Sequence, residues 1–400
     1  MSRPLLRAGI GAAVALLAAA TATGAPGPGP ASAQRAAPAP RHRAVPTVVA
    51  RRIVAAEPGR FLAWPANNGL WSWESGREIL VGFHDGPWQE KEGHKVGHPQ
   101  QQRLARSLDG GLSWRLETPT PYVGREGEPR PLAEPLRLSD PDLAIRVAAD
   151  GREGPQQRLG RFFVSRDRGR TWQGPFRFEG LEREPALRGL ILTSRTAMRA
   201  LGPDAAQFLL SARDPRLGRH SKRLDKTFVA ETHDGGRSFR FVSWVVPWSD
   251  PYRAVMPSLV DLGQDRLVAV LRRRDPRAPE ETPSWIDAYG SNDGGRSWHF
   301  LSRVGSSGAH NGNPAALARL PDGRLAVAYA NRSRQVMVLR LSDDDGRHWG
   351  PPLELRANRF DHDMGYPQMV VNHRSELVVI FYLATAAQPH SHIEASLVSP

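Results

Sequence analysis

The 400-residue sequence contains no cysteine, only four lysines and, beyond its first twenty residues, no long apolar run. The missing cysteine excludes disulfide bridges, thiolate zinc sites and cysteine nucleophiles. No later segment has the roughly 18 consecutive apolar residues of a membrane-spanning helix, so we expect no membrane contact in the mature form. A hydrophobic fraction of 40% and a charged fraction of 24% are typical of a globular chain.

The scarcity of lysine affects how the positive net charge is interpreted. The net charge of +13 and the pI near 10.8 are, by themselves, typical of a protein that binds a polyanion. However, 50 of the 54 basic residues are arginine, and alanine, glycine and proline are abundant. This skew indicates a bias in overall composition, so we expect no nucleic-acid partner.

The first 33 residues have the order of a signal peptide. Arg3 and Arg7 precede an apolar stretch too short to span a bilayer, and residues 31–33 fit an A-x-A cleavage site. Residues 34–46, rich in alanine, proline and arginine, would form a flexible leader. The sequence therefore predicts a secreted or periplasmic protein, with a retained membrane anchor as the alternative.

An octapeptide of the form S/T-x-D-x-G-x-x-W/F occurs five times. Its copies begin at Ser107, Ser165, Thr232, Ser291 and Ser342, which places them 51 to 67 residues apart. The aspartate can cap main-chain N–H groups, the glycine can take a positive φ, and the aromatic ring can pack under a neighbouring sheet. Five copies in register predict a repeat architecture with one hairpin turn per unit.

The segments before each octapeptide are β-branched or aromatic and predict three strands per unit. A last unit without an octapeptide has strands at residues 367–371, 376–382 and 392–398 but lacks an outer fourth strand. Residues 47–55 could supply it and close the ring. We therefore expect an all-β fold over residues 47–400, a six-bladed β-propeller closed by pairing of the N-terminal strand with the last blade.

The repeated octapeptides resemble the Asp-box, or BNR, repeats of the sialidase (neuraminidase) superfamily, over essentially all of residues 47–400. The resemblance implies that the boxes are structural and lie away from the active-site face. It implies a secreted, exo-sialidase-like glycoside hydrolase that acts on a carboxylate-bearing glycan. We expect it to act as a monomer and without a cofactor.

The resemblance also implies site residues. Tyr366, which opens the first strand of the last unit, matches the position of the nucleophile. Arg272, with Arg332 or Arg334, matches the clamp that holds the substrate carboxylate. The acid/base loop corresponds to the insertion at residues 84–98, where the proton donor would be Asp85 or a histidine, His98 or His94.

The sequence departs from the family pattern at two positions. Ala63 stands where the first clamp arginine is expected, and Arg60 is a poor substitute for it. Met256 stands near the position of the glutamate that activates the tyrosine. Asp361 or Asp363 would have to replace that glutamate.

A second set of residues supports alternative functions. The loop that contains His310 and Asn313 leads into the inner strand of the fifth unit, where His310 could meet Tyr366 and Asn313 could bind substrate. Histidine and tyrosine beside an arginine suit β-elimination, so a uronate-specific polysaccharide lyase is one alternative. A non-catalytic carbohydrate-binding propeller, with tryptophans such as Trp64 stacked on sugars, is another.

We expect no metal site, since no His-x-x-x-His or similar spacing is present. Two acidic pairs leave calcium as an alternative: Asp140 with Asp142, and Asp361 with Asp363. Capping of turns is the simpler explanation of both pairs.

Overall fold

The computed structural model describes residues 45–117, 127–148, 160–217, 224–358 and 360–400. The expected signal peptide and all but the last two residues of the expected leader lie outside the described residues. Within the described part of the chain, no helix is long and apolar enough to cross a membrane.

The described residues form 24 β-strands and four short 3₁₀-helices, and they contain no α-helix. The strands are β1 (Thr47–Ala55), β2 (Arg60–Ala63), β3 (Leu70–Trp73), β4 (Glu78–Pro87), β5 (Gln101–Ser107), β6 (Arg115–Glu117), β7 (Ala144–Ala148), β8 (Arg161–Ser165), β9 (Gln173–Arg177), β10 (Ile191–Ala200), β11 (Ala206–Arg213), β12 (Asp225–Thr232), β13 (Arg240–Trp244), β14 (Arg253–Gly263), β15 (Arg266–Arg274), β16 (Ser284–Ser291), β17 (His299–Gly308), β18 (Ala315–Arg319), β19 (Leu325–Asn331), β20 (Val336–Ser342), β21 (Leu353–Ala357), β22 (Gly365–Val371), β23 (Leu377–Leu383) and β24 (His392–Ser399). The 3₁₀-helices are η1 (Pro65–Asn67), η2 (Glu74–Gly76), η3 (Leu181–Arg183) and η4 (Pro185–Leu187).

Hydrogen bonding groups these strands into five sheets. Their orders are β2-β4-β5-β6 with β3 also on β4, β7-β8-β9, β10-β11-β12-β14-β15-β16-β17 with β13 on β12, β18-β19-β20-β21, and β1-β24-β23-β22. The largest sheet consists of two antiparallel groups, β10–β13 and β14–β17. They are joined by one parallel pairing, at Lys226 and Ala254.

The first strand of the fold completes the last sheet. β1 runs antiparallel to β24, from the pair Thr47 and Ser399 to the pair Ala55 and Ile393. The prediction that residues 47–55 supply the strand missing from the last unit is therefore confirmed. This pairing covers the outer edge of β24, which would otherwise expose unpaired main-chain groups.

The innermost strands follow one another around a central cavity. β7 contacts β10, β10 contacts β14, β14 contacts β18, β18 contacts β22, and β22 contacts β3 and η1. The cavity has a volume of about 360 Å³ and is lined by residues of these same strands. Residues from each of these strands therefore face one cavity.

Each octapeptide forms the turn that its sequence predicts. In the fourth copy, Asp293 Oδ1 accepts the Ser297 main-chain N–H at 2.9 Å and Oδ2 accepts the Ser297 hydroxyl at 2.5 Å. The Gly295 N–H donates to Ser291 Oγ at 2.8 Å. The glycine at the fifth position of the octapeptide has φ between 78° and 95° in all five copies, which explains the requirement for glycine. The octapeptide turns lie at one end of the strands, and Arg272 and Tyr366 lie towards the other end.

The first sheet differs from the expected pattern because its inner strand is broken. β2 and β3 are four residues each, and both pair with β4. Between them Trp64 takes a left-handed conformation, with φ 58°, and Pro65 begins η1. Proline is well suited to the first position of a helix, so the chain leaves the strand at this point.

The core lies between neighbouring sheets. All seven residues of β23 are buried, because this strand is covered on both faces. Its sequence, LVVIFYL, is accordingly a continuous apolar run instead of an alternating one. Tyr382, the sixth residue of this run, brings a hydroxyl into the region of Tyr366.

Candidate functional site

Tyr366 occupies a strained position at the start of β22. Its φ is 47°, in the left-handed region, and Gly365 before it has φ 107°. Asn313 holds this conformation: its Oδ1 accepts the Tyr366 main-chain N–H at 2.6 Å, and its Nδ2 donates to the Met364 carbonyl at 2.8 Å. Such strain in a non-glycine residue is typical of functional sites.

Arg272 lies beside the tyrosine hydroxyl. It is the seventh residue of β15, it is 1% exposed, and its Nη1 lies 3.4 Å from Tyr366 Oη. The same nitrogen lies 3.3 Å from the sulfur of Met256. The guanidinium of Arg272 therefore lies next to the phenol oxygen of Tyr366.

Arg332 follows β19 and is buried against the ring of Tyr366, with its Cζ 5.6 Å from the ring centre. Its Nε donates to the Met364 carbonyl at 3.3 Å, and its Nη1 donates to the His310 carbonyl at 3.0 Å. Its Nη2 contacts Asp363 Oδ1 at 3.1 Å and Tyr382 Oη at 2.8 Å. All three nitrogens are thus engaged with the protein, so Arg332 supports the turn before Tyr366.

Asp363 connects the members of the site. Tyr382 donates its hydroxyl to Asp363 Oδ1 at 2.5 Å, and His94 Nδ1 lies 2.9 Å from Oδ2. Burial opposes ionisation of the carboxyl, but His94 and Arg332 hold its pKa below the ordinary value. Burial and the charge of Asp363 raise the pKa of Tyr382 well above its usual range, so Tyr382 remains a hydrogen-bond donor.

His94 lies between Asp363 and solvent. Its side chain is 45% exposed, and its ring packs edge-on against Trp64 with 5.0 Å between centres. Burial lowers the pKa of His94, but the hydrogen bond and charge of Asp363, with a contribution from Tyr366, raise it above the ordinary value. Asp363 therefore both orients the imidazole of His94 and stabilises its charged form.

The structure places Asp85 and His98 elsewhere. Asp85 is 1% exposed, and its carboxylate is bound by Arg60, Arg103 and Gln101. This carboxylate therefore already forms part of a closed ion-pair network between β2, β4 and β5. His98 is exposed, and of the two candidate histidines it is His94 that reaches Asp363.

The other predicted residues have different surroundings. His310 is exposed, contributes its carbonyl to Arg332, and lies with its ring 4.1 Å from that of His362. Arg334 is exposed, whereas Arg332 is buried at the site. Asn313 is fully buried and uses both ends of its amide on the main chain, which is a positioning role.

The two acidic pairs considered for calcium have other contacts. Asp140 Oδ1 accepts the Asp142 main-chain N–H at 2.9 Å, and Asp142 binds Arg168. Asp361 Oδ1 accepts the Asp363 main-chain N–H at 2.9 Å. Within the described ranges, no group of three or more acidic or histidine side chains could hold a metal ion.

Sequence reasoning did not identify Tyr382. The strand register contained the signal: β22 and β23 are antiparallel, and Tyr382 pairs with Gly365, next to the candidate nucleophile. The sequence left Asp361 and Asp363 as alternatives. Asp363 is the one that belongs to the site, because it binds Arg332, Tyr382 and His94.

Residues 125–379, well over half of the chain, match the BNR repeat-like domain. The chain belongs to the BNR repeat-like domain family. The membership that its octapeptides predict is therefore confirmed. A search among curated proteins gave no match.

Several solved structures share the fold of this BNR repeat-like protein. A protein of unknown function from Dyadobacter fermentans is 20% identical, with a TM-score of 0.66, over 88% of this chain and 99% of that one. An α-L-arabinanase from Penicillium chrysogenum, in complex with arabinobiose, is 14% identical, with a TM-score of 0.55, over 88% and 98%. A Hadza microbial sialidase is 15% identical, with a TM-score of 0.56, over 84% and 65%. At these identities the likeness concerns the fold alone.

Proposed function

We propose that this protein is a sialidase-like glycoside hydrolase in which Tyr366 is the nucleophile. The observation that carries the proposal is the strained Tyr366 at a strand start, with its hydroxyl beside Arg272 and its ring against Arg332. A phenol attacks an anomeric carbon only if it loses its proton, and the charges of Arg272 and Arg332 would stabilise the negative charge that develops on its oxygen in the reaction.

The Asp363–His94 pair supplies the proton transfer in this proposal. Neutral His94 takes the proton of Tyr366 as the phenol oxygen bonds to the anomeric carbon, and it passes the proton to the departing glycosidic oxygen. In the second half of the reaction, His94 deprotonates a water molecule that displaces Tyr366 from the anomeric carbon, and the proton returns to the phenol. Asp363 stabilises the imidazolium in both halves.

For the substrate we propose a glycan that carries a carboxylate, with a terminal sialic acid as the first candidate. Arginine forks bind carboxylates well, and Arg272 is the arginine next to the tyrosine hydroxyl. Arg332 does not belong to this clamp, because its donors are occupied by Asp363, Tyr382 and two carbonyls.

A uronate lyase is the second candidate. It is favoured by the presence of His94, Tyr366 and Arg272 in one site, since a base, an acid and a charge that neutralises the carboxylate are what β-elimination requires. In that reaction one group removes the C5 proton and the other protonates the leaving oxygen.

We further infer that the sheets form a six-bladed β-propeller. Support comes from the innermost strands β3, β7, β10, β14, β18 and β22, which line one cavity, and from the division of the largest sheet into two four-stranded groups. We also propose export by an N-terminal signal peptide and a monomeric state. N-terminal sequencing and sedimentation of the secreted protein test these two points.

The function is tested with a fluorogenic α-sialoside, a fluorogenic arabinofuranoside and a panel of uronic-acid polysaccharides assayed for unsaturated product. Released fluorophore that falls by about a thousandfold or more in Tyr366→Phe supports hydrolysis. Unsaturated product that depends on Tyr366 supports the lyase instead. Silence on every substrate, with glycan binding retained in Tyr366→Phe, identifies a carbohydrate-binding propeller.

A further inference from the structure

Arg274 is a buried cation without a counter-ion. Its side chain is 2% exposed, and its Nη1 donates to Asn311 Oδ1 at 2.9 Å. Its Nε is buried without a hydrogen-bond partner, and no carboxylate of the described chain lies within ion-pair distance. The neighbouring buried arginines differ in this respect, since Arg273 pairs with Asp250 and Arg253 pairs with Asp225.

The charge of Arg274 is unfavourable in these surroundings. Burial lowers its pKa, and Arg253, its partner across the strand pair, adds a like charge. Glu280, Glu281 and Asp275 act favourably on this charge. However, the two glutamates are exposed, and Asp275 pairs with Arg277. A guanidinium does not lose its proton in a protein, so a bound anion would relieve the unfavourable charge.

Two hydroxyl groups complete the donor set. Ser284 and Ser307 are fully buried, and neither Oγ has a hydrogen-bond partner. Both pack beneath Gly312, where an added Cβ would lie 2.8 Å from Ser284 Oγ and 2.7 Å from Ser307 Oγ. Gly312 follows Asn311 in the chain, so the two hydroxyls and the Arg274 guanidinium all contact the same loop.

The position of Arg274 relates this set to the candidate active site. Arg272 and Arg274 lie two residues apart on β15 and point to the same face, about 7 Å from each other. Arg272 contacts Tyr366. A group bound at Arg274 would therefore belong either to a substituent of the reacting sugar or to the sugar ring next to it.

We propose that Arg274, Ser284 and Ser307 form a subsite for an oxyanion of the glycan, a carboxylate or a sulfate, next to the Tyr366 site. That this glycan is the substrate rests on the proposed function. The binding of the anion does not, since it follows from the buried guanidinium and hydroxyls.

Binding is measured by isothermal titration calorimetry at constant ionic strength, with glucuronate, glucose 6-sulfate and glucose as probes. The wild type is expected to bind at least one anionic sugar about tenfold to a hundredfold more tightly than glucose. Arg274→Gln is expected to lose this preference. Glucuronate and glucose 6-sulfate separate the two sources of the oxyanion, and a preference for either supports the subsite.

Three further variants sharpen the test. Asn311→Asp places a carboxylate beside Arg274, and we expect it to raise the melting temperature and to remove the anion preference. Arg266→Gln, which alters an arginine at the other end of β15 that is paired with Asp345, should leave the preference unchanged. Tyr366→Phe should abolish catalysis and keep the preference, which separates failure of this subsite from failure of the proposed function. Equal affinities of wild type and Arg274→Gln for all three sugars, or unchanged anion binding by Asn311→Asp, would overturn the proposal.

Discussion

The side chain of Asn313 fixes the main chain of Tyr366. Its Oδ1 accepts the Tyr366 N–H at 2.6 Å while its Nδ2 donates to the Met364 carbonyl at 2.8 Å. Asn313 precedes β18, so a residue from the neighbouring sheet determines the direction of the candidate nucleophile. The site thus depends on packing between sheets as well as on its own strand.

Removal of this support should cost both stability and activity. Asn313→Ala removes the acceptor of the buried Tyr366 N–H and leaves the Met364 carbonyl with Arg332 Nε alone, and we expect a loss of about 1–3 kcal/mol in the free energy of unfolding. We also expect a fall in kcat, because Tyr366 would relax from its left-handed conformation. Urea unfolding and steady-state kinetics measure the two effects.

Gly365→Ala tests the same relationship from the other side. An added Cβ would lie 2.2 Å from Asn313 Oδ1 and 2.7 Å from Ala330 Cβ, at a φ of 107° that favours glycine. This variant should therefore resemble Asn313→Ala. Wild-type stability and kcat in both variants would show that the contact has no such role.

The pH dependence of activity should report on Asp363 and His94. In the proposed relay His94 must be neutral to accept a proton, so kcat/KM should rise as the pH increases through the pKa of His94. Asp363 raises that pKa. In Asp363→Asn burial remains and the negative charge is lost, so the acidic limb should move to lower pH and the maximum should fall about a hundredfold or more.

Asp361→Asn serves as the matched control for this experiment. It alters a carboxylate two residues away, and an asparagine oxygen can still accept the Asp363 main-chain N–H. Its acidic limb should coincide with that of the wild type. A limb that stays in place in Asp363→Asn contradicts a role for the Asp363–His94 pair.

Arg332 and Arg334 offer a comparison between two neighbouring arginines. Arg332→Gln breaks a buried ion pair with Asp363 and three further hydrogen bonds, and we expect a loss of about 3–5 kcal/mol in the free energy of unfolding. Arg334→Gln changes an exposed side chain and should stay within about 0.5 kcal/mol of the wild type. Chemical denaturation of both proteins decides the point, and equal stabilities would contradict the assignment of Arg332 as the supporting arginine.

The repeat pattern was enough to predict much of the fold. The octapeptides combine a cap, a positive-φ glycine and an aromatic ring in eight residues, so their turns are determined locally. The pairing of β1 with β24 followed from the strand that the last unit lacked. The break between β2 and β3 was missed, because it depends on the left-handed Trp64 and on packing of η1 against β22, which are tertiary effects.

The site was predictable where a residue begins or ends a strand and less so within loops. Tyr366 and Arg272 lie at strand ends, and the structure brings them together. In loops, spacing alone does not decide which side chain turns inward, so the sequence left His94 and His98, and Arg332 and Arg334, as alternatives. Asp85 has the right residue type, but Arg60 and Arg103 already bind it, and only the three-dimensional structure reveals those partners.

The octapeptide turns should give the protein an acid-sensitive stability. The carboxyl of Asp293 is partly shielded from water, which opposes ionisation. The hydroxyl and N–H of Ser297 and the hydroxyl of Ser291 outweigh this effect and lower its pKa to about 2. Because the folded-state pKa lies below the unfolded one, the stabilisation is complete above about pH 4 and is lost as the pH falls towards about 2.

Asp293→Ala isolates the contribution of one turn. At neutral pH we expect it to lower the free energy of unfolding by about 1–2 kcal/mol, because several hydrogen bonds to a charged acceptor are lost. The difference in melting temperature between wild type and variant should shrink as the pH falls from about 4 to about 2, since the wild-type carboxylate is then protonated as well. Thermal unfolding followed by circular dichroism across this range measures the difference. A gap of constant size at every pH would show that Asp293 stabilises the turn through its shape and not through its charge.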